Sequence, residues 1–151
     1  MIFNTGLEAI ISGIVAVSAA QWIKFFSSLY KTKKVNFKVL TETGGMPSSH
    51  SSAVVALTTS VGLIAGFNSL LFAVSLGYGL VVMYDAAGLR RSAGRMAVVL
   101  NRVVADFYRQ NKNSHATEKL IELLGHTPFE VLMGAMLGSA VSLSFHYFLM
   151  G

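Results

Sequence analysis

The sequence predicts an all-α integral membrane protein with about four transmembrane helices and one or two amphipathic surface helices in the 88–124 loop. Hydrophobic residues make up 53% of the chain and charged residues only 13%, against about 25% charged residues in an average soluble domain. The length of 151 residues suits one domain. We therefore expect residues 1–151 to form a single membrane-embedded helical domain. The absence of Cys excludes disulfides, thiolate zinc sites and a cysteine nucleophile.

The first three spans follow from the distribution of charge. Leu7–Tyr30 is an apolar stretch that only Glu8 and Lys24 interrupt. Residues 51–84 carry no charged side chain, and as one helix they would extend about 51 Å, too far for a hydrocarbon core of about 30 Å. Because residues 66–69 (Gly-Phe-Asn-Ser) have turn-forming character, we predict a helical hairpin of about 50–66 and 69–85.

The remaining elements lie in and after the second of two basic segments, 31–45 and 85–125. Apolar residues recur at helical spacing from Leu89 to Phe107 with arginines between them, which predicts an amphipathic helix on the membrane surface. A shorter helix is expected at about 116–124, with Gly125 placed to end it. Thr127–Met150 is the predicted fourth span.

The basic residues also predict the orientation. Both basic segments fall on the same side of the membrane by chain parity, and the opposite side has no Lys or Arg. The positive-inside rule makes the basic side cytoplasmic and puts both termini outside. We expect an integral protein of the cell or inner membrane, with its functional face toward the cytoplasm.

Small residues recur every four positions in two of the predicted spans. They are Ser12, Ala16 and Ala20 in the first span, and Gly134, Gly138 and Ser142 in the last. This spacing permits close helix contacts in lipid, either within one bundle or between subunits. A homo-oligomer through these faces is therefore among the expected partners.

Two polar motifs, each with a histidine, precede the second and fourth spans: GGMPSSH at 44–50 and GHTPFE at 125–130. Both spans begin on the basic side, so two helix N-termini would lie together and favour an anion. The third span ends on the same face at Asp85, shortly before Arg90 and Arg91. The candidate site is therefore predicted on one membrane face.

Each of these residues also has a purely structural interpretation. Thr127 and Glu130 form a T-x-x-E capping box, and Ser48 is suited to cap the second span. His50 and His126 would then be interfacial histidines, and Asp85 would pair with a nearby arginine. The lysines of the first loop would be solvated. His115 and His146 are expected to play no part in a site.

Taken together, three motifs carry a family resemblance: GGMPSSHS at 44–51, DAAGLRRSAG at 85–94 and GHTPFE at 125–130. They resemble the divergent branch of the type 2 phosphatidic acid phosphatases, also described as acid phosphatase/vanadium-dependent haloperoxidase-related. Residues 47–50 are similar to the P-S-G-H signature of the parent family, with Ser in place of Gly. His126 and Glu130 keep its H-x3-D spacing, with Glu in place of Asp. No K-x6-R-P occurs, and Lys38 stands in for its lysine.

The resemblance implies hydrolysis of a lipid phosphomonoester, of the phosphatidic acid or phosphatidylglycerol phosphate type, through a phosphohistidine and without a metal or other cofactor. His126 would be the nucleophile, Glu130 would orient it, and His50 would act as general acid and then general base. The remaining implied residues are the phosphate ligands Ser48, Ser49, Arg90, Arg91 and Lys38, with Asp85 in a supporting role.

Three other functions remain open on the sequence alone. A divalent metal bound by His50, Asp85, His126 and Glu130 would make the protein a metal-dependent hydrolase. The chain could instead be a non-enzymatic membrane module that binds anionic lipid, or a small transporter of a phosphorylated solute. Nucleic acid is not an expected partner, because the basic residues flank membrane spans and lack interleaved aromatic residues.

Overall fold

Five α-helices and one short 3-10 helix form the part of the chain that the computed structural model describes, residues 4–41, 44–110 and 125–150, without the side chains of 89–91, 108–110 and 150. The elements are α1 (Gly6–Thr32), the 3-10 helix (Phe37–Leu40), α2 (Ser49–Ala65), α3 (Leu70–Ala87), α4 (Leu89–Gln110) and α5 (Pro128–Met150). The four predicted spans agree with α1, α2, α3 and α5 to within two residues at each end. The 3-10 helix was not predicted, and the helix expected at about 116–124 lies outside the described residues.

The lengths and compositions of these helices are those of a membrane protein. Gly6–Thr32, the stretch Leu70–Phe107 across α3 and α4, and Pro128–Leu149 are long and apolar enough to cross a bilayer. The helix α2 is apolar but has 17 residues, about 26 Å, which is short for a core of about 30 Å. No strand occurs in the described residues. The predicted all-helical membrane fold is therefore confirmed, with three to four spans.

The predicted hairpin forms as α2 and α3, and local chemistry explains its turn. Gly66 ends α2 at φ +87°, a backbone conformation that a side chain would strain. Ser69 then caps α3, because its Oγ accepts a hydrogen bond from the Phe72 amide at 3.1 Å. The apolar run therefore divides at residues 66–69, where the sequence predicts the turn.

The shortest apolar helix, α2, lies at the centre of the bundle and packs against α1, α3 and α5. Its buried residues are small or carry hydroxyls: Ser49, Ser51, Ser52, Val54, Ala56, Thr58, Ser60 and Gly62. Ser12, Ala16 and Ala20 of α1 are fully buried as well. In lipid, where burial of apolar surface gives little driving force, such small side chains let helix backbones approach closely.

Two glycines of α5 show how close this approach is. A Cβ at Gly134 would overlap the Ser48 carbonyl oxygen, and one at Gly138 would overlap that of Ser52. One turn further along, the Ser142 and Ser60 hydroxyl oxygens are 2.8 Å apart. Both predicted small-residue stripes are therefore used inside the chain. Self-association through them stays a prediction.

The helices α3 and α4 lie at the outside of this arrangement. Only Gly79 and Ala86 of α3 are buried, and the Thr58 hydroxyl of α2 donates to the Ser75 carbonyl at 3.1 Å. Among the described elements α4 contacts only α3. Its large apolar side chains are exposed: Met96, Val99, Leu100, Val103 and Phe107. The helix that the amphipathic pattern predicts is therefore present, and its place on the membrane surface stays a prediction.

A buried hydrogen bond joins α1 and α5 at the end of the bundle away from His126. The Nδ1 atom of His146 and the Oε1 atom of Glu8 are 2.5 Å apart, and both residues are buried. The other carboxylate oxygen accepts a hydrogen bond from the Asn4 amide at 2.7 Å. Glu8 and His146 therefore have a structural role, which the sequence analysis did not assign.

Candidate active site

Two backbone hydrogen bonds bring the polar motifs to one end of the bundle. The Ser48 amide donates to the Glu130 carbonyl at 3.0 Å, which joins the starts of α2 and α5. The His126 amide donates to the Ala86 carbonyl at 2.9 Å, which joins the second motif to the end of α3. The residues before α2, after Asp85 and before α5 therefore meet, although long segments of chain separate them.

At the centre of this cluster lies His126, which is 2% exposed. Its Nδ1 atom is 3.4 Å from Glu130 Oε2, a long hydrogen bond of the kind that catalytic groups often show without substrate. Its Nε2 atom is buried, and no residue of the described chain forms a hydrogen bond with it. The half-buried ring of His50 lies close by, with ring centroids 6.2 Å apart. One nitrogen of His126 is thus held by Glu130, and the other has no hydrogen-bond partner in the described chain.

One carboxylate oxygen of Glu130, Oε2, contacts two hydrogen-bond partners. Besides His126, Oε2 accepts a hydrogen bond from the Thr127 amide at 2.9 Å. In return, the Glu130 amide donates to Thr127 Oγ1 at 3.2 Å. This is the capping box that the T-x-x-E pattern predicts. The capping and orienting roles of Glu130 are therefore compatible, and the structure shows the contacts that both require.

Burial is the main reason that the pKa of His126 lies below its ordinary value of 6.5, because an imidazolium loses its hydration there. The positive charge of Lys24 lowers the pKa further, and the contact with Glu130 opposes both effects. His50 makes a smaller contribution that also lowers it. The neutral form of His126, which has a nucleophilic nitrogen lone pair, is favoured in this environment.

A buried lysine, Lys24, is the residue of this site that sequence reasoning missed. It lies within α1 and is only 5% exposed. Its Cδ is 4.0 Å from the position that a Cβ on Gly45 would occupy, so it lies against the loop that leads to α2. Gly45 has φ +86°, which favours glycine there. The available signal was an ionisable residue inside an apolar span, which usually marks a functional position.

The two serines of the first motif are buried at the start of α2. Ser48 is fully buried and caps the helix, with its Oγ accepting from the Ser51 amide at 3.3 Å and from the Ser51 hydroxyl at 3.0 Å. Ser49 is 6% exposed. The expected cap is therefore observed, and phosphate binding by Ser48 and Ser49 stays a prediction.

The other predicted site residues are Lys38, Arg90, Arg91 and Asp85. Lys38 lies on the 3-10 helix and is exposed. Arg90 and Arg91 belong to the first turn of α4, and their side chains are outside the described part of the structure. Asp85 is half-buried beside Ala86, at the end of α3. Roles for these four residues stay predictions.

A metal centre needs several ligands in one place. Over residues 4–41, 44–110 and 125–150, no group of three or more His, Cys, Asp or Glu side chains is placed to hold a metal ion. The four residues that a metal would require in the alternative interpretation, His50, Asp85, His126 and Glu130, do not form such a group.

Comparison with known proteins identifies the family to which these motifs belong. A family model described as the divergent PAP2 family matches residues 6–141. A Bacillus subtilis (strain 168) protein named uncharacterized membrane protein YuiD is 41% identical over 150 residues, which cover 93% of this chain and 95% of the relative. No solved structure matches the chain. The family match includes every residue of the candidate site.

Proposed function

The chain belongs to the divergent PAP2 family, and on this basis we propose that it is a membrane phosphatase which hydrolyses a lipid phosphomonoester through a phosphohistidine on His126. The observation that carries the proposal is the hydrogen bonding of the His126 ring and its position beside a second histidine. Glu130 holds its Nδ1 at 3.4 Å, its Nε2 is buried without a hydrogen-bond partner in the described chain, and a second histidine lies beside it.

In the first step, the Nε2 atom of neutral His126 attacks phosphorus. The N–P bond forms as the bond from phosphorus to the lipid oxygen breaks, and His50 donates a proton to the leaving oxygen. The imidazole ring gains positive charge in this step. The carboxylate of Glu130 at Nδ1 stabilises that charge and fixes the tautomer that leaves Nε2 unprotonated.

In the second step, water replaces the histidine. His50, now neutral, accepts a proton from the water as its oxygen attacks phosphorus. The N–P bond breaks, inorganic phosphate leaves, and His126 and His50 return to their starting protonation states. The two histidines are neighbours in the structure, with their ring centroids 6.2 Å apart.

The phosphate oxygens need positive partners during both steps. The adjacent N-termini of α2 and α5 present backbone N–H groups and the positive ends of two helix dipoles. Ser48, Ser49, Arg90, Arg91 and Lys38 are the proposed side-chain ligands, as the resemblance implies. Such groups stabilise the charge that develops on the equatorial oxygens.

The substrate we propose is a membrane lipid with a terminal phosphate, such as phosphatidic acid or phosphatidylglycerol phosphate. The site lies at the ends of apolar helices, where a headgroup would reach it by lateral diffusion. The positive-inside rule, applied to the two basic segments, favours the cytoplasmic side for this end of the bundle. Inner-leaflet lipids are therefore the proposed substrates.

Phosphate release by the purified protein in detergent with EDTA tests this function. We expect release from phosphatidic acid or phosphatidylglycerol phosphate, loss of release in His126→Ala, and full activity in the control His115→Ala. Activity that appears only after a divalent metal is added would favour the metal-dependent alternative. Activity that persists in His126→Ala would refute the phosphohistidine.

The exposed face of α4 supports a second candidate, a non-enzymatic module that binds anionic lipid. Its large apolar residues and the exposed Arg95 and Arg102 lie on a helix that contacts only α3 among the described elements. Such a helix binds anionic membrane surfaces. Lipid binding by the parent and by His126→Ala, with no turnover by either, would favour this candidate.

A further inference from the structure

The mechanism above gives no role to Lys24. This residue belongs to α1, and its side chain is buried beside the candidate site. It is 5% exposed and lies eight residues before the end of that helix, inside the predicted span. Burying a charge in a membrane protein is costly, and such residues usually face a functional interior.

In the described part of the chain, charged and titratable groups near His126 come from four helices. Lys24 comes from α1, His50 from α2 and Glu130 from the first turn of α5. Asp85 belongs to the end of α3, next to Ala86, whose carbonyl accepts the His126 amide. The Cδ atom of Lys24 is 4.0 Å from the position that a Cβ on Gly45 would occupy, in the loop that leads to α2. Glu130 therefore stabilises a positive imidazolium, whereas Lys24 opposes it.

We propose that Lys24 is a positioning residue that acts through His126: together with burial of the ring, it keeps the imidazole neutral until a phosphate dianion enters the site and pairs with the lysine. This inference rests on the proposed function. Before substrate binds, repulsion between two buried cations disfavours an imidazolium, so Nε2 keeps its lone pair. Once the dianion is bound, it offsets the charge of Lys24, and the positive charge on the phosphorylated ring is no longer opposed.

Histidine titration by NMR tests this role without turnover. Protein labelled with isotopes in its four histidines is titrated in detergent, with the His126 signal assigned by its absence in His126→Ala. We expect the pKa of His126 to rise in Lys24→Met and to stay low in Lys24→Arg. The control is Lys31→Met, an exposed lysine at the end of α1, which should leave the titration unchanged.

The parent protein provides a second, independent readout. Saturating inorganic phosphate should raise the pKa of His126, because the dianion offsets Lys24. The rise in the pKa of His126 on phosphate addition should be smaller in Lys24→Met. An unchanged His126 titration in folded Lys24→Met would overturn the proposal. If the lysine variants do not fold, an unchanged titration of the parent on phosphate addition overturns it instead.

The pH dependence of turnover completes the test. The acidic limb of kcat/KM should move to higher pH in Lys24→Met and stay in place in Lys24→Arg. A merely structural lysine would lower activity at all pH values without moving this limb. If no variant or parent releases phosphate, the proposed function fails, while the titration still decides whether Lys24 controls the charge of His126.

Discussion

The side chain of Glu130 both caps a helix and contacts His126. Its Oε2 caps the start of α5 through the Thr127 amide and contacts Nδ1 of His126. A capping contact needs only an acceptor oxygen, whereas stabilising an imidazolium needs a negative charge. A substitution that removes the charge and keeps the acceptor oxygen therefore tests the contact with His126 without removing the helix cap.

Glu130→Gln keeps an acceptor oxygen and removes the charge. We expect kcat to fall by about 10²- to 10⁴-fold, with the unfolding free energy changed by less than about 1 kcal/mol. The matched control is Thr127→Ala, which removes the capping hydroxyl and keeps the carboxylate. It should lower stability by about 1 kcal/mol and change kcat little. Full activity in Glu130→Gln would mean that Glu130 only caps the helix.

The protonation of His126 predicts the pH dependence of the reaction. Its pKa lies below 6.5, mainly because burial disfavours the imidazolium. Since the neutral form attacks phosphorus, kcat/KM should fall on acidification with a midpoint below pH 6.5. The measurement is a pH profile of kcat/KM, corrected for the substrate's own ionisation followed by phosphorus NMR. A corrected acidic midpoint above 6.5 would contradict a neutral, buried nucleophile.

At the scale of the helices, the contact between α2 and α5 positions the site. The glycines of α5 allow this contact, and the bond from the Ser48 amide to the Glu130 carbonyl depends on it. The two histidines are carried by the start of α2 and by the residues just before α5. A wider spacing of these helices would therefore separate His50 from His126.

Gly138→Leu tests this packing, with Gly77→Leu as its control. A side chain at Gly138 meets the Ser52 carbonyl and the Ala56 amide, whereas one at Gly77 in α3 meets nothing within 4 Å. We expect Gly138→Leu to cost at least about 1–3 kcal/mol through overpacking and to lower activity, measured by thermal unfolding in detergent and by phosphate release. Gly77→Leu should do neither. Equal effects of the two substitutions would mean that the close contact is not important.

Sequence reasoning located the long helices because their signals are local. Apolar runs, the turn residues at 66–69 and the capping residues Ser48 and Thr127 are all readable without tertiary contacts. The 3-10 helix at Phe37–Leu40 was missed because it has four residues and no apolar periodicity. Its local signal is the Asn36 side chain, which accepts a hydrogen bond from the Lys38 amide.

Local sequence signals also indicate part of the candidate site. Motifs next to helix starts gave His50, His126 and Glu130. Lys24 and the Glu8–His146 pair depend on which helix face turns inward, and the patterns of α1 and α5 do not show this, since both helices are apolar on nearly every side. The prediction of Lys38 as a phosphate ligand rests on its position in the sequence and stays a prediction, and no sequence pattern places the buried Lys24 near His126.

For the whole molecule, the basic segments predict the side of the membrane on which the site lies. The chain has no Cys, so single cysteines report orientation directly. Lys34 in the first basic segment and Asn68 in the α2–α3 turn are both exposed. In intact cells an impermeant maleimide should label Asn68→Cys and not Lys34→Cys, and permeabilised cells should show labelling of both. The reverse pattern would place the site on the outer face.

The central claim is that phosphate passes through His126, and trapping the covalent intermediate tests it most directly. The parent protein would be mixed with radiolabelled phosphatidic acid in EDTA, quenched in base within one turnover, digested and mapped by mass spectrometry. Our account predicts a base-stable, acid-labile phosphoryl group on the peptide that contains His126, and none in His126→Ala. Turnover without any label on His126, or label on another residue, would contradict it.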